Sequence, residues 1–538
     1  MRPAARRWTS RAAPFLPALA YAILALATFL DYGPTVDEQN LVTYGQRLVR
    51  WYATFGRDAS ALEWTDHRFY GALFELLAQA AGHVSRLGLY ETRHLVNAAF
   101  GLLAIGAAGG LGHALGGPLA GFLAGLLLLL HPVFYGHTFN NPKDLPFAAL
   151  YTLALWAGVA VGARPRRRGH GAAVLVGAAV GAALGMRVAG LILLPAIAAL
   201  WIGLDALRTP SRLEALKRTV LRMAIVAVVA WLVMVALWPF AQADPLRNPF
   251  RALSAFQAFH REVLNLFEGA YVRSDELPRR YLPKWLALTW PDVYSLALPL
   301  GALWPAVALA RRAPRRRRER ALAALWLAAL TAFPVLWVVL THPPLYDSMR
   351  HFLFVVPGLA VVAGVGMAYA LRALPSLGMR AAAAALLAWP MATTVRDMIE
   401  LHPYQSVYFN RWLAGGLRGA AGRYETDYWG SSYKEAVAWV VANYPGPYVK
   451  PLRVGSTSAC FLTRYFLDTD ALRDRFIAAC DDSPVPPHVM LSTTRDGRHE
   501  RVPGAVVHLV SRQGVPLCYV FQVRRPQTPG VESGRPRS

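Results

Sequence analysis

The chain has 538 residues, of which 55% are hydrophobic and only 16% are charged. Its mean hydropathy of +0.31 is too high for a soluble protein of this length, so the composition indicates a protein that crosses a membrane many times. The formal net charge of +24 does not indicate nucleic-acid binding, because the arginines stand in short clusters between apolar stretches and not in a stripe interleaved with aromatic residues. We therefore expect no nucleic-acid partner.

Eleven apolar stretches, each near the length that a transmembrane helix needs, predict an all-α polytopic bundle. They cover residues 13–31, 94–115, 117–131, 144–163, 171–187, 189–207, 221–240, 286–310, 321–341, 352–372 and 381–398. Basic clusters precede the first stretch and follow the fourth, the sixth and the eighth, and they share one side of the membrane if the N-terminus is cytoplasmic. The first stretch could also be a signal peptide, which would leave the segment after it on the same outer side.

The first outer segment begins TVDEQNLVTYGQRL, with Asp37 and Glu38 within a few residues of the predicted membrane face. Neighbouring groups can tune the pKa of a carboxylate in such a place. Asp37 is therefore a candidate catalytic base. Apolar and aromatic residues recur at helical spacing within 40–55 and 68–85, which predicts helices lying on the membrane surface.

A second polar segment, HPVFYGHTFNNPKDLPF, follows the third stretch and is predicted as a short outer loop over 131–143. It contains His131, His137, Lys143 and Asp144. Asp144 is a second candidate catalytic residue, although an aspartate at this place can equally be a helix N-cap. The two histidines are six residues apart and have no third ligand at a usual spacing, so we expect no metal site here.

Cationic residues on the predicted outer side are unexpected under the positive-inside rule, and binding of a lipid phosphate would explain them. Arg187 ends the fifth stretch, Lys284 precedes the eighth, and the segment HPPLYDSMRHFLF after the ninth contains Tyr346, Arg350 and His351. The alternative to phosphate binding is snorkelling, in which these long side chains extend to the membrane interface. That alternative fits Lys284 better than the two arginines.

Two stretches carry glycines four residues apart, which indicates close helix packing and no chemical role. These glycines are Gly117, Gly121 and Gly125, and Gly177, Gly181 and Gly185.

The last part of the chain changes character after about residue 400. A helical pattern, SYKEAVAWVVANY, is followed by four strand-like runs, which predicts a small periplasmic α/β domain over 401–525 behind a transmembrane domain over 1–400. Residues 526–538 are predicted to be a disordered tail. The run GRYETDYWGSSY, with Glu425, Asp427, Tyr428 and Trp429, is either a carbohydrate surface or a packed turn.

Cys460, Cys480 and Cys518 are the three cysteines of the chain, and all lie in this last segment. They contain no CxxC pair and no zinc spacing. Either one disulfide with a spare thiol or three unpaired thiols would fit.

These features resemble the GT-C superfamily of lipid-carrier-dependent glycosyltransferases, particularly protein O-mannosyltransferases and the bacterial aminoarabinose transferase acting on lipid A. The resemblance covers roughly residues 10 to 400. It rests on Asp37-Glu38 after the first stretch, on TRHLVNAAFGLL at 92–103, on the acidic loop ending in Asp144, and on LGMRVAG around Arg187. No sugar-binding trefoil domain is evident.

The resemblance implies transfer of a sugar from a polyprenyl-phosphate carrier to a hydroxyl of a glycan, lipid or protein acceptor, with inversion at the anomeric carbon. It places the reaction on the periplasmic side of a bacterial inner membrane and implies that Asp37 is the base. Asp144 would hold the sugar or the acceptor, or share the role of base. The substrate-binding residues would be Glu38, His131, His137, Lys143, Arg187, Tyr346, Arg350 and His351.

The same resemblance implies no cofactor, because cationic side chains can stabilise a leaving phosphate monoester without a divalent metal. The alternative function is a non-enzymatic transporter or flippase of lipid-linked sugars. Transporters place ionisable residues near the bilayer midplane and often contain internal repeats. Here the polar clusters lie at one end of the predicted spans, which favours the enzyme.

Overall fold

The computed structural model describes residues 12–163, 169–209, 211–257, 263–311, 313–444, 450–480 and 486–523. The chain divides into two compact units, which we call the membrane unit (Met1–Tyr32 with Asp37–Tyr424) and the C-terminal unit (Gly33–Val36 with Glu425–Ser538). The boundary therefore follows Tyr424 and not residue 400. Segment 401–424 belongs with the membrane helices because Nδ2 of Asn410 donates to the carbonyl oxygens of Ala287 (2.6 Å) and Trp290 (3.1 Å).

In the ranges that the structure describes, the membrane unit is helical apart from one short hairpin. Its first helices are α1 (Leu16–Thr28), α2 (Glu38–Ala53), α3 (Leu73–Val84), α4 (Leu89–Gly116), α5 (Pro118–Leu129), α6 (Pro132–Asn140), α7 (Asp144–Ala163), α8 (His170–Met186), α9 (Leu193–Ala206), α10 (Arg212–Ala236), α11 (Pro239–Ala243) and α12 (Asn248–Gln257). After the antiparallel hairpin of β1 (Leu264–Phe267) and β2 (Ala270–Arg273) come α13 (Tyr281–Thr289), α14 (Asp292–Ala310), α15 (Arg315–Thr341), α16 (Val356–Ala373), α17 (Leu377–Leu401), α18 (Arg411–Ala414) and α19 (Gly416–Ala420).

Eight helices in the described ranges are long and apolar enough to cross a membrane, and the chain is a multi-pass membrane protein. The pair α5–α6, bent by 67°, makes a ninth candidate if it is one span. The other two of the eleven predicted spans, α8 and α17, are also helices, but they are not among these candidates. Helix α8 has only 17 residues, and α17 contains four charged residues, Arg380, Arg396, Asp397 and Glu400.

The segment at 131–143, which is predicted to be an outer loop, is largely a helix. Helix α6 occupies 132–140, and all nine of its residues are buried. Pro132 begins this helix, and proline is favoured at such a position because its φ suits a helix and its missing N–H has no partner there. Nine residues show no helical periodicity when every side is buried, so the pattern gave no signal.

The first of the predicted outer segments forms helices where the apolar periodicity predicts them. Helix α2 buries Leu41, Tyr44, Leu48 and Trp51, which are the residues of the predicted apolar face. Helix α3 covers Leu73–Val84. Their position on the membrane surface stays a prediction.

The glycines of α8 pack against α10, as their spacing predicts. A Cβ atom at Gly181 would lie 2.6 Å from the carbonyl oxygen of Ala230, and one at Gly177 would lie 2.8 Å from Cβ of Val229. No side chain larger than hydrogen fits these positions without moving α10.

The C-terminal unit is an α/β domain with a five-stranded sheet in the order β4-β3-β5-β7-β6. Its elements are α20 (Tyr433–Asn443), β3 (Leu452–Ser456), α21 (Cys460–Leu467), β4 (Phe476–Ala479), β5 (Val489–Thr493), β6 (Gly504–Arg512) and β7 (Val515–Val523). Strand β3 is parallel to β4 and β5, and β7 is antiparallel to β5 and β6. The predicted tail at 526–538 lies outside the described residues.

The three cysteines form one disulfide and leave one thiol. Cys460 and Cys480 are bonded, with their Cα atoms 5.3 Å apart, and Cys518 is free and buried in the sheet. Burial raises the pKa of the Cys518 thiol well above its ordinary value.

The GRYETDYWGSSY run is a packed turn. Asp427 is 3% exposed and accepts hydrogen bonds from the backbone N–H groups of Ser431 (3.0 Å) and Ser432 (2.8 Å). Glu425, Tyr428 and Trp429 are buried too. Burial raises the pKa of Asp427, although the hydrogen bonds oppose that shift. Because none of these four side chains is exposed, the run offers no open carbohydrate surface.

Candidate functional site

Six charged side chains from separate parts of the membrane unit meet in one ion cluster. The cluster consists of Asp37, Lys143, Asp144, Arg187, Asp347 and Arg350. Each of them lies at or near the end of a helix, so chain segments that are far apart in sequence contribute to one place. Burial at helix ends is tolerable for these charges because each is paired with an opposite one.

Asp37 is the carboxylate of the cluster that solvent reaches most easily. Its Oδ2 accepts hydrogen bonds from Nζ of Lys143 (2.9 Å) and Nη1 of Arg350 (3.3 Å). Its side chain is 19% exposed, against 1% for Asp144 and 4% for Asp347. A group that takes a proton from an incoming substrate has to be reachable, which singles out Asp37.

Asp144 is held between two arginines at the start of α7. It forms an ion pair with Arg187 and lies 3.5 Å from Nη1 of Arg350. Asn141, and not Asp144, caps the start of α7: its Oδ1 accepts a hydrogen bond from the N–H of Asp144 (3.0 Å). Nδ2 of Asn141 also donates to the Asp144 carboxylate (3.0 Å). Asp144 is therefore a member of the ion cluster and not the N-cap that its sequence position also allowed.

Arg350 joins the three carboxylates. Its Nε (3.0 Å) and Nη2 (2.7 Å) donate to Oδ2 of Asp347, and its Nη1 faces Asp37 and Asp144. The side chain is only 2% exposed. A planar guanidinium held along one edge presents its remaining donor in a fixed direction.

Tyr70 lies against two cations of the cluster and was not predicted from the sequence. The centre of its ring is 5.7 Å from Nζ of Lys143 and 5.3 Å from Cζ of Arg187, which is the range of cation–π contacts. The next residue, Gly71, allows this approach, because a Cβ there would lie 1.2 Å from the carbonyl oxygen of Gly185. An aromatic residue in a polar segment carries no signal that distinguishes it from a packing residue.

Lys143 stays charged in this environment. Burial alone would lower the pKa of its ammonium group, but the Asp37 carboxylate and Tyr70 outweigh burial, and the pKa lies above its ordinary value. Lys143 can therefore act as a fixed positive charge beside Asp37.

Tyr346 and His351 border the cluster. The ring of Tyr346 lies 5.6 Å from Cζ of Arg350, and the rings of Tyr346 and His351 meet edge to face with centres 4.7 Å apart. Burial raises the pKa of the Tyr346 hydroxyl, although the Arg350 charge opposes that shift. Both residues are placed to shape the surroundings of Arg350.

His137 and His131 lie on or beside α6 and differ in their surroundings. His137 is 1% exposed and interacts electrostatically with Asp144 and Arg350. Nδ1 of His131 accepts from the N–H of Phe134 (3.3 Å) and so caps α6. The structure thus brings His137 to the cluster and gives His131 a structural partner.

Glu38 lies in a second buried group and not in the ion cluster. Its Oε2 is 3.5 Å from Nε2 of His94. In the same group, Arg93 forms a two-pronged pair with Glu75 (2.7 and 2.8 Å). Burial raises the pKa of Glu75, although Arg93 opposes that shift. Glu38 is therefore turned toward the interior of the bundle.

Lys284 also lies outside the ion cluster. It pairs with Glu268 of the β1–β2 hairpin, and so does Arg280 through Nη2 (2.7 Å). These hydrogen bonds lower the pKa of Glu268 to about 2. Neither a phosphate nor the membrane interface is needed to explain a lysine with such a partner.

The described residues contain no group of three or more His, Cys, Asp or Glu side chains that could hold a metal ion.

No family model and no curated protein matches the chain. Among solved structures, it is similar to ArnT from Cupriavidus metallidurans bound to undecaprenyl phosphate, at 16% identity and a TM-score of 0.46 over 93% of this chain and 97% of that chain. It is also similar to the archaeal oligosaccharyltransferase AglB from Archaeoglobus fulgidus in complex with an inhibitory peptide and a dolichol-phosphate. That match has 14% identity and a TM-score of 0.47 over 90% of this chain and 70% of that chain.

At such identities and TM-scores the likeness carries no argument about the reaction of this chain.

Proposed function

We propose that the chain is an inverting glycosyltransferase, which moves a sugar from a polyprenyl-phosphate carrier to an acceptor hydroxyl. The acceptor is a glycan, lipid or protein on the periplasmic side of a bacterial inner membrane. The observation that carries the proposal is Asp37, a reachable carboxylate held between two cations at the ends of apolar helices. A base and an anion-binding group are thus neighbours at the level where a lipid phosphate would lie.

The phosphate of the donor fits the cations Lys143 and Arg187, whose side chains are 12% and 13% exposed and which share the ring of Tyr70. Nη1 of Arg350, which faces Asp37 and Asp144, would be a third hydrogen-bond donor to the phosphate. Binding of the phosphate would draw Lys143 away from Asp37 and leave that carboxylate able to accept a proton. Cations aimed at the phosphate stabilise the charge that develops on it as the bond to the sugar breaks.

The reaction is then one displacement. The acceptor hydroxyl gives its proton to Asp37, and its oxygen bonds to the anomeric carbon. The bond from that carbon to the phosphate oxygen breaks, and its electron pair leaves with the polyprenyl phosphate. A single attack opposite the leaving group inverts the anomeric centre.

Asp144 is better suited to hold the cations than to act on the substrate, because its two carboxylate oxygens face Arg187, Arg350 and Asn141. The alternative function, a transporter of lipid-linked sugars, needs ionisable groups along a path through the bilayer. The contacts of the ion cluster join helix ends, which favours the enzyme.

The test is Asp37→Asn, which keeps the size of the side chain and removes its basicity. We expect the rate of sugar transfer from a polyprenyl-phosphate donor to fall by at least about a hundredfold, with normal membrane insertion. Asp31→Asn is the matched control, because Asp31 also ends a span and pairs with His402 (2.9 Å) outside the cluster. Transfer by Asp37→Asn at the wild-type rate would remove Asp37 as the base.

The sugar and the acceptor can be identified by mass spectrometry of envelope glycans from cells with the wild-type protein and with Asp37→Asn. A glycan that has one sugar fewer in cells with the variant identifies both the transferred sugar and its acceptor. Unchanged glycans, lipids and proteins would contradict the proposed function.

A further inference from the structure

We propose that Asp347 is a positioning residue for Arg350, and that Asn265 and Tyr281 hold Asp347 in place through the backbone. The inference rests on the proposed function, because Arg350 matters there as a donor to the lipid phosphate. It extends the site to the β1–β2 hairpin and to α13, which contribute no residue to the ion cluster itself.

The backbone at Asp347 has an unusual conformation. Asp347 and Ser348 have φ angles of +56° and +59°, in the left-handed region that residues with a side chain rarely adopt. Both residues are buried, at 3% and 9% exposure. Two such residues in succession persist only where the surroundings hold them.

Two side chains hold this turn by its backbone N–H groups. The N–H of Asp347 donates to Oδ1 of Asn265 (3.2 Å), and the N–H of Ser348 donates to the hydroxyl oxygen of Tyr281 (3.1 Å). Asn265 and Tyr281 are each 1% exposed. Nδ2 of Asn265 donates in turn to the carbonyl oxygen of Val263 (3.2 Å), so the amide is itself oriented.

The turn directs the Asp347 carboxylate at one edge of the Arg350 guanidinium. That edge carries Nε and Nη2, and the contact leaves Nη1 facing Asp37 and Asp144. Without a fixed carboxylate, the guanidinium could turn and present another nitrogen. Asn265 and Tyr281 thus act on the phosphate site through Asp347 and Arg350, without touching a substrate.

The experiment compares two tyrosines that each lose one buried hydroxyl. Tyr281→Phe keeps the ring that packs against Phe267 and Trp285 and removes the bond to the N–H of Ser348. Tyr294→Phe is the control, because its hydroxyl donates to the carbonyl oxygen of Leu127 (3.0 Å) away from the cluster. Asn265→Ala is a second variant of the same turn.

The full-length protein in lipid nanodiscs is titrated with undecaprenyl phosphate and with undecaprenol, which has the same tail and no phosphate. We expect Tyr281→Phe and Asn265→Ala to lower the ratio of the two affinities by about tenfold, the loss that accompanies one misdirected hydrogen bond to a charged group. Tyr294→Phe should keep the wild-type ratio. A purely structural defect would weaken the binding of both lipids alike and leave the ratio unchanged.

A wild-type ratio in Tyr281→Phe and Asn265→Ala, or a higher one, overturns the positioning role and leaves the proposed function standing. A wild-type protein that binds undecaprenyl phosphate no better than undecaprenol overturns the proposed function, and the inference with it.

Discussion

Arg187 has two partners at the site, the Asp144 carboxylate of the cluster and the ring of Tyr70 beside it. We expect Arg187→Ala to weaken the binding of undecaprenyl phosphate by about a hundredfold and Arg187→Lys by about tenfold, because lysine keeps the charge and loses the planar fork. Binding is measured by titration in nanodiscs.

Lys284→Ala is the control for Arg187, since it removes a cation that is predicted on the same side and pairs with Glu268 outside the cluster. It should bind undecaprenyl phosphate as the wild type does. Equal and small effects of the two Arg187 variants would mean that the side chain serves the membrane interface and not a phosphate.

The cluster members were largely predictable, because Asp37, Lys143, Asp144, Arg187 and Arg350 lie at ends of apolar stretches on one predicted side. The threading of the chain through the membrane brings such ends to one level. The direction of each side chain was not predictable. Glu38 follows Asp37 directly, and successive residues of a helix point about 100° apart, so one joins the cluster and the other faces His94.

Other parts of the site depend on tertiary contacts that no local pattern records. Tyr70 reaches the cluster because Gly71 lies on the carbonyl of Gly185. Asn265 and Tyr281 act on a turn more than sixty residues away in sequence. A sequence shows such residues only as an asparagine in a short strand and an aromatic residue near a helix start.

At the level of elements, the crossing of α8 and α10 depends on glycine. Gly181→Ala would place a Cβ 2.6 Å from the carbonyl oxygen of Ala230, so the helices have to separate. We expect a loss of stability of about 1–3 kcal/mol, as for other overpacked contacts. The measurement is thermal unfolding of the purified protein in detergent.

Gly106→Ala is the matched control, because a Cβ there meets nothing within 4 Å. Alanine favours a helix over glycine by about 1 kcal/mol, so this variant should unfold at or slightly above the wild-type temperature. Equal unfolding temperatures for both variants would mean that α8 and α10 are not tightly packed in the membrane.

Whether an element could be predicted depended on how clear its hydrophobic pattern is in the sequence. Long apolar helices such as α4 and α7 were predictable, since long and almost uninterrupted apolar sequences leave few alternatives. The bend between α5 and α6 was not, because α6 is short, buried on every side and preceded by a break at His131. The boundary of the C-terminal unit also moved, because the polar segment 401–424 packs with the membrane helices through Asn410.

At the scale of the whole molecule, charged groups concentrate at both ends of the membrane helices. Asp144 begins α7 in the ion cluster, and near its other end Arg208 donates to the carbonyl oxygen of Gly162 (2.8 Å). Arg208 also pairs with both carboxylate oxygens of Glu319 (2.7 Å each). A helix of this length spans about 30 Å, so the two polar levels are about one membrane core apart. A cytoplasmic N-terminus, and hence the side of each level, stays a prediction.

Cys518 allows the folding of the C-terminal unit to be followed on its own. Burial raises the pKa of its thiol, so it stays protonated at pH 8, where an exposed thiol begins to ionise. We expect no maleimide labelling of the native protein at pH 8 and one label per chain after denaturation. Mass spectrometry counts the labels.

Cys518→Ser should take up no label even when denatured, because Cys460 and Cys480 are bonded. Reduction should then expose two reactive thiols. The pKa of the Cys518 thiol is higher in the folded protein than in the unfolded chain. The unfolded chain therefore loses this proton first, and the free energy of unfolding falls as the pH rises above about 8.5. Rapid labelling of the native wild type would contradict a buried thiol.

The balance of three cations against three carboxylates in the ion cluster bears on turnover as well as on chemistry. A polyprenyl-phosphate sugar is a phosphodiester with one negative charge, and its transfer leaves a monoester with between one and two. A site with surplus positive charge would hold the spent carrier more tightly than the fresh one. In the proposed reaction Asp37 takes the acceptor proton, so three cations then face two carboxylates. The spent carrier is released once Asp37 has lost that proton and its carboxylate competes again for Lys143 and Arg350.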